Sequence, residues 1–147
     1  MAKTAETQIS YWGAPGLRTV KPIDYEQLFL QHPDECFGII KEAVCKYKNV
    51  GLKVFHSKDR HRPVCMARHL FCYIVYHNFR FKHVSLSFIG KQIYNDSNLG
   101  SYDHTTVIHA KNLIKDLLDS KDLNPHVITS MQLSINQKLK TLWLSYL

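Results

Sequence analysis

The sequence has no apolar run approaching the roughly 18 residues that a membrane span needs, so no membrane span is expected. It has no Cys-x-x-Cys pair, and its four cysteines stand apart at 36, 45, 65 and 72. That spacing makes neither a disulfide framework nor a zinc module. The cysteines read as reduced thiols of a cytosolic protein, mostly in the core. Cys65 with His69 and Cys72 with His77 come nearest to a ligand pattern. Their spacing fits no known zinc site, so no metal and no cofactor is expected. No Gly-x-x-x-x-Gly-Lys-Ser/Thr occurs; Gly90-Lys91 is the nearest approach. Nucleotide hydrolysis by the P-loop route is thereby excluded, and no nucleotide partner is expected. No local signature supports a Cys–His nucleophile, so no catalytic residue and no enzyme is expected. Met1 to Gln8 carries no apolar core after Lys3, which predicts no signal peptide. The chain also lacks repeats and low-complexity stretches.

What is present is apolar content and basic charge. The 147 residues are 45% apolar and 12% aromatic, enough for a core and too much for general disorder. Lysine and arginine number 19 against 12 acidic residues, a net charge of +7 that suits a polyanion, either nucleic acid or an anionic membrane surface; of these nucleic acid is the expected partner and a membrane is not. The charge is concentrated. Lys53, Lys58, Arg60, Arg62, Arg68, Arg80, Lys82 and Lys91 fall in one segment whose only acid is Asp59. That segment carries the whole net charge.

The apolar spacing predicts helices almost throughout. Tyr11 to Gly16 reads as an arm whose aromatics pack on the domain. Asp24 to Gln31 reads as a short helix capped by Asp24. Pro33 to Tyr47 is predicted helical, with Phe37, Ile40, Val44 and Tyr47 inward and Asn49-Val50-Gly51 ending it. Leu52 to His56 reads as one helical turn. A helix follows from Val64 to Asn78, with Pro63 at its first position and Ala67, Leu70, Phe71, Ile74 and Val75 inward. Leu86 to Tyr94 is predicted as a short helix capped by Ser85 or Ser87, burying Leu86, Ile89 and Ile93. Asn95 to Tyr102 reads as a loop. Asp103 then caps a helix to Asp119 whose stripe is Val107, Ala110, Ile114 and Leu117, with His109 a core or edge residue. Asn124-Pro125 opens a last helix, to about Tyr146, lined by Ile128, Met131, Ile135, Leu139 and Leu142. Its Leu139–Tyr146 end is expected to pack over the domain, with a protein-partner contact as the alternative.

Two helices joined by a polar, glycine-bearing connection suggest a helix-turn-helix. The second begins with four polar residues and then turns apolar, which suits a tip that touches a ligand and a body that packs. Arg62-Pro63, Met66-Ala67, Ser85-Leu86 with Ile89-Gly90, and Asp103-His104-Thr105-Thr106-Val107-Ile108-His109-Ala110 resemble the C-terminal DNA-binding domain, domain IV, of the bacterial replication initiator DnaA. The resemblance spans about residues 36–121, without the family's ATPase module. Before the Asp-His block this sequence has Leu99-Gly100-Ser101-Tyr102, where the family has two glycines and an arginine, in a longer loop. The resemblance implies base reading by Asp103, His104, Thr105 and Thr106. It further implies minor-groove contact by Arg62 and groove contacts near Leu86 and Ser87.

The residue chemistry is compatible with those roles. Helix N-termini attract phosphate, threonine hydroxyls and methyls meet base edges, and arginine suits a narrow minor groove. Lys58, Arg60, Arg68, Arg80, Lys82 and Lys91 are the expected phosphate contacts. The expected fold is all-α: a small helical bundle with a helix-turn-helix, DnaA domain IV-like or Trp-repressor-like. It is expected as an N-terminal extension (1–32), the DNA-binding domain (33–122) and a C-terminal helical extension (123–147). The expected function is sequence-specific binding of double-stranded DNA in replication initiation or its regulation, in the bacterial cytoplasm or nucleoid. The alternatives are a transcriptional regulator of a phage or mobile element, and an interaction protein that kept the fold without specific DNA binding.

Overall fold

Capping side chains set most of the helix starts. The computed structural model describes residues 22–94 and 102–147; the expectations for the arm at 11–16, for the first residues and for most of the 95–102 loop lie outside the described residues. Helix α1 (Tyr25–Gln31) starts where the Asp24 carboxylate accepts a hydrogen bond from the Gln27 amide at 3.0 Å. This satisfies one of the amides that helical bonding leaves open. Helix α2 (Pro33–Lys48) has proline in its first turn and Asp34 and Glu35 at its positive end. Asn49, at φ 56° and ψ 49°, ends it in the left-handed conformation. Helix α3 (Leu52–Phe55) is a single turn. Helix α4 (Arg62–Asn78) starts slightly earlier than predicted, so Pro63 is its second residue. Helix α5 (Leu86–Lys91) is capped by Ser85, not Ser87, and stops short of Tyr94. Helix α6 (His104–Asp119) is capped by Asp103, and α7 (Pro125–Ser145) by Asn124. Among the described residues the architecture is all-α, as expected.

Helix α4 is the axis of the bundle, packed by α2 on one side and by α6 on the other. Its predicted inward residues Ala67, Leu70, Phe71, Ile74 and Val75 are all fully buried. All seven phenylalanines join one ring network around it. Phe55 meets Phe71 at 5.8 Å between centroids, and Phe71 meets Phe37 at 6.3 Å. Phe37 meets Phe88 at 5.6 Å and Phe29 at 5.1 Å. Phe29 then stacks on Phe79 at 4.9 Å and tilts against Phe81 at 5.5 Å. Such pairs add to the burial of each ring.

Of the predicted core positions, Leu117, Ile128 and Leu142 are half-buried against the core, and Tyr47 and Leu86 also depart from the expectation. Tyr47 is 41% exposed. It shares the face of Phe37, Ile40 and Val44, but in the last turn of α2, where α2 and α7 part into an open groove lined by Tyr47, Val50, Leu52 and Met131. Cys36 and Cys45 are buried beside that stripe instead. Leu86 is half-buried, packed on the outside of the core, while Ile89 and Ile93 are fully buried. Cys72 is buried as well, and burial pushes the thiols of Cys36 and Cys72 up to about 12 and that of Cys45 to about 11. Unreactive, protonated core thiols are what such values describe.

Both ends of the described chain join this core. Leu28 and Phe29 of α1, and Met131, Ile135 and Leu139 of α7, belong to the same buried cluster as α2, α4 and α6. The C-terminal end of α7 is pinned over the α1–α2 junction. The Tyr146 ring stacks on His32 at 3.7 Å, and its hydroxyl donates to Glu35 at 2.8 Å. Phe29→Ala is therefore expected to cost about 3–5 kcal/mol, the cost of truncating a core phenylalanine, as measured by urea unfolding. A loss no larger than that of a surface substitution would mean that α1 is peripheral.

Candidate nucleic-acid interface

The helix-turn-helix is set by one close contact. A Cβ built on Gly90 would stand 1.7 Å from the carbonyl oxygen of Tyr102 and 2.9 Å from its carbon. The backbone entering α6 thus rests directly on α5, where no side chain fits. Val107, on the inward face of α6, lies 3.6 Å from the same point. The Tyr102 side chain turns into the protein. Its ring meets Tyr94 edge-on at 5.4 Å, its hydroxyl lies 4.0 Å from the Cys72 sulfur, and burial raises its pKa.

From that seat α6 projects its first turn. The Asp103 carboxylate accepts from the Thr106 amide and from the Thr106 hydroxyl, both at 3.0 Å. The amide bond first, and then the hydroxyl, hold the Asp103 carboxyl below its ordinary pKa. Two of the four predicted base readers, Asp103 and Thr106, therefore satisfy each other. His104 and Thr105 are left exposed at the tip. Behind them the outer face continues through Ile108, His109 and Asn112, all exposed. The expectation of His109 as a core or edge residue is corrected: Val107, Ala110 and Ile114 face inward, which turns position 109 outward. The helical spacing Thr105, Ile108, Asn112 was the signal for this face.

The basic residues divide into two kinds. Lys58, Arg60, Arg62, Arg80, Lys82 and Lys91 are exposed. Arg68 is not: it is only 2% exposed, which corrects its assignment as a phosphate contact. Its guanidinium donates to the carbonyls of Asp59 and Ser57, each at 2.7 Å, of Phe55 at 3.0 Å and of Val54 at 3.3 Å. It also lies 5.3 Å from the Tyr94 ring centroid. The loop it holds is further tied by Ser57, whose hydroxyl donates to Val54 at 2.7 Å and accepts from the Asp59 amide at 3.1 Å. Asp59 in turn accepts from the His61 amide at 2.8 Å. Lys58 and Arg60 therefore stand on a braced loop.

The structure brings Arg60, not Arg62, beside the α6 tip. Arg60 and Thr106 line one cavity of about 250 Å³ with Cys65, His69, Tyr94 and Tyr102. Arg62 lines a neighbouring groove of about 450 Å³ against Leu113, Asp116 and Leu117, farther along α6. Ser87 is exposed on α5, while Ser85 is used as its cap. Lys82 precedes α5 and Lys91 ends it, so these two charges flank the first helix of the pair.

Residues 38–114 match the family model of the bacterial DnaA protein helix-turn-helix. The chain belongs to that family. The matched stretch begins inside α2 and ends in α6, so it contains α4, α5 and the α6 tip, the elements that build the site. The chain is also 32% identical over 85 residues to the chromosomal replication initiator protein DnaA of Thermoanaerobacter sp. (strain X514). The same figures hold for that protein of Thermoanaerobacter pseudethanolicus (strain ATCC 33223 / 39E). These alignments cover 58% of this chain and 17% of each relative. No solved structure matches the chain. The matched DnaA-family unit is not a catalytic one, and no helix among the described residues is long and apolar enough to cross a membrane.

Two substitutions probe the construction of the site. Gly90→Ala is expected to push the Tyr102 backbone off α5 and cost about 1–3 kcal/mol, read as a lowered thermal midpoint; unchanged stability would show that the contact is not close. Arg68→Lys is expected to cost roughly 2–4 kcal/mol, because one ammonium cannot reach four carbonyls and leaves buried acceptors unpaired. Urea unfolding measures it, and faster amide exchange at residues 54–59 should accompany it.

Proposed function

We propose that this chain binds double-stranded DNA in the initiation of chromosome replication or its control. The carrying observation is the exposed His104–Thr105 tip, seated on Gly90 and bordered by the basic Lys58–Arg62 loop, in a member of the DnaA helix-turn-helix family. In this reading the tip enters the major groove. His104 and Thr105 meet base edges, and Thr106 adds its methyl. Asp103 acts chiefly by holding the first turn. Arg62 reaches an adjacent minor groove, and Leu86 and Ser87 approach the groove wall. Lys58, Arg60, Arg80, Lys82 and Lys91 contact phosphates and supply salt-dependent affinity without specifying sequence.

The relatives' name, chromosomal replication initiator protein, supports the replication role. Residues 33–122 carry the interface in this reading, and the bacterial cytoplasm or nucleoid is its setting. Fluorescence anisotropy on random and selected duplexes at two salt concentrations tests it. His104→Ala is expected to weaken binding to the selected duplex and relax the sequence preference. Arg62→Ala should weaken binding too, whereas Lys82→Ala should weaken binding to all duplexes alike and lower the salt slope by about one unit. Absence of binding to any duplex at low salt would overturn the DNA reading. Unchanged affinity and preference in His104→Ala would overturn the assignment of the α6 tip.

A further inference from the structure

A second basic group stands on the flank of α6, away from the braced loop. The guanidinium of Arg80 lies 4.8 Å from the ring centroid of Tyr76, and the ammonium of Lys111 lies 4.4 Å from the same centroid. Tyr76 belongs to the last turns of α4 and Lys111 to the middle of α6. The ring thus gathers two cations from different elements. Each is attracted by the ring, but they repel one another. Among the described residues, neither comes within ion-pair distance of a carboxylate. Lys115, one turn beyond Lys111, is 3.7 Å from Asp119 and so has its own counter-charge. His77 beside them is held below the ordinary histidine pKa, first by burial and then by the charges of Lys111 and Lys115. An anion between the two cations would offset their repulsion.

The group's place on α6 says which anion. His104, Ile108, Lys111 and Lys115 are spaced by four, three and four residues and lie along one line of the helix. Lys111 is therefore about 10 Å behind His104 at ~1.5 Å per residue. The major groove is about 8.5 Å deep. With the tip on the base edges, Lys111 comes level with the phosphates that wall the groove.

We propose that Tyr76, Arg80 and Lys111 form a second phosphate clamp for the DNA strand bordering the groove that α6 enters, an inference that rests on the DNA-binding reading. The ring pre-orders two long side chains, so less conformational freedom is lost when the phosphates arrive. The clamp adds affinity and fixes the docking angle of α6, and it reads no bases.

The test is a salt titration of the full chain on a random and on a selected duplex, followed by anisotropy, with helical content checked by circular dichroism. Lys111→Gln and Arg80→Gln are each expected to lower the slope of log affinity against log salt by about one unit, and the double variant by about two. The ratio of selected to random affinity should stay unchanged. Lys111→Arg should restore the slope. Tyr76→Phe, which keeps the ring, should bind as the unmodified chain does, and Tyr76→Leu should bind more weakly to both duplexes. A double variant that keeps the original slope while the unmodified chain binds would overturn the clamp and leave the DNA reading standing. Failure of the unmodified chain to bind any duplex would overturn both.

Discussion

The buried guanidinium of Arg68 holds the arrangement together. A charge removed from water is costly unless its hydrogen-bonding capacity is filled. Here backbone carbonyls, those of Val54, Phe55, Ser57 and Asp59, take four of its five N–H donors. Those carbonyls belong to the end of α3, where Phe55 is buried in the core, and to the polar loop after it. One side chain of α4 thus converts a polar connection into a fixed edge of the domain. Through Tyr94 the same group touches the segment that follows α5, and Tyr94 touches Tyr102 at the entry to α6. The basic loop and the α6 tip are therefore referred to one anchor.

Much of the scaffold was legible because it obeys local rules. The caps at Asp24, Asp103 and Asn124, the left-handed Asn49 and the inward stripes of α4 and α6 follow from side-chain chemistry and a 3.6-residue period. Charge was legible in amount but not in use. Arg68 looks like its neighbours in a count of basic residues. Its burial depends on where the 54–59 carbonyls fall, which no local pattern records. Tyr47 shows the same limit for apolar residues: its face is right, and its exposure depends on α7 parting from α2. The pairing of Tyr76 with Lys111 joins residues from separate helices, so spacing within one helix could not disclose it. His109 was recoverable in principle, since the phase of Val107, Ala110 and Ile114 already turns it outward.

The part of the chain that matches the DnaA family is not the whole of its core. Phe29 closes the ring network from α1, and Ile135 and Leu139 cover α2 from α7. The Tyr146 contacts to His32 and Glu35 then bring the end of α7 back to the beginning of the described fold. The helix-turn-helix is held in a larger frame, with α4 passing through its middle. This division of labour leaves the outer face of α6 free of packing duties, which is why polar residues can stand there in succession.

The contact between Gly90 and the Tyr102 carbonyl separates the path of the chain from its destination. The point that seats α6 lies after the connecting loop, at the last residue before the cap. What α6 requires of the chain before it is a Tyr102 backbone that rests on a residue without a side chain. A side chain at position 90 would therefore displace the start of α6 itself, and with it every residue of the exposed first turn.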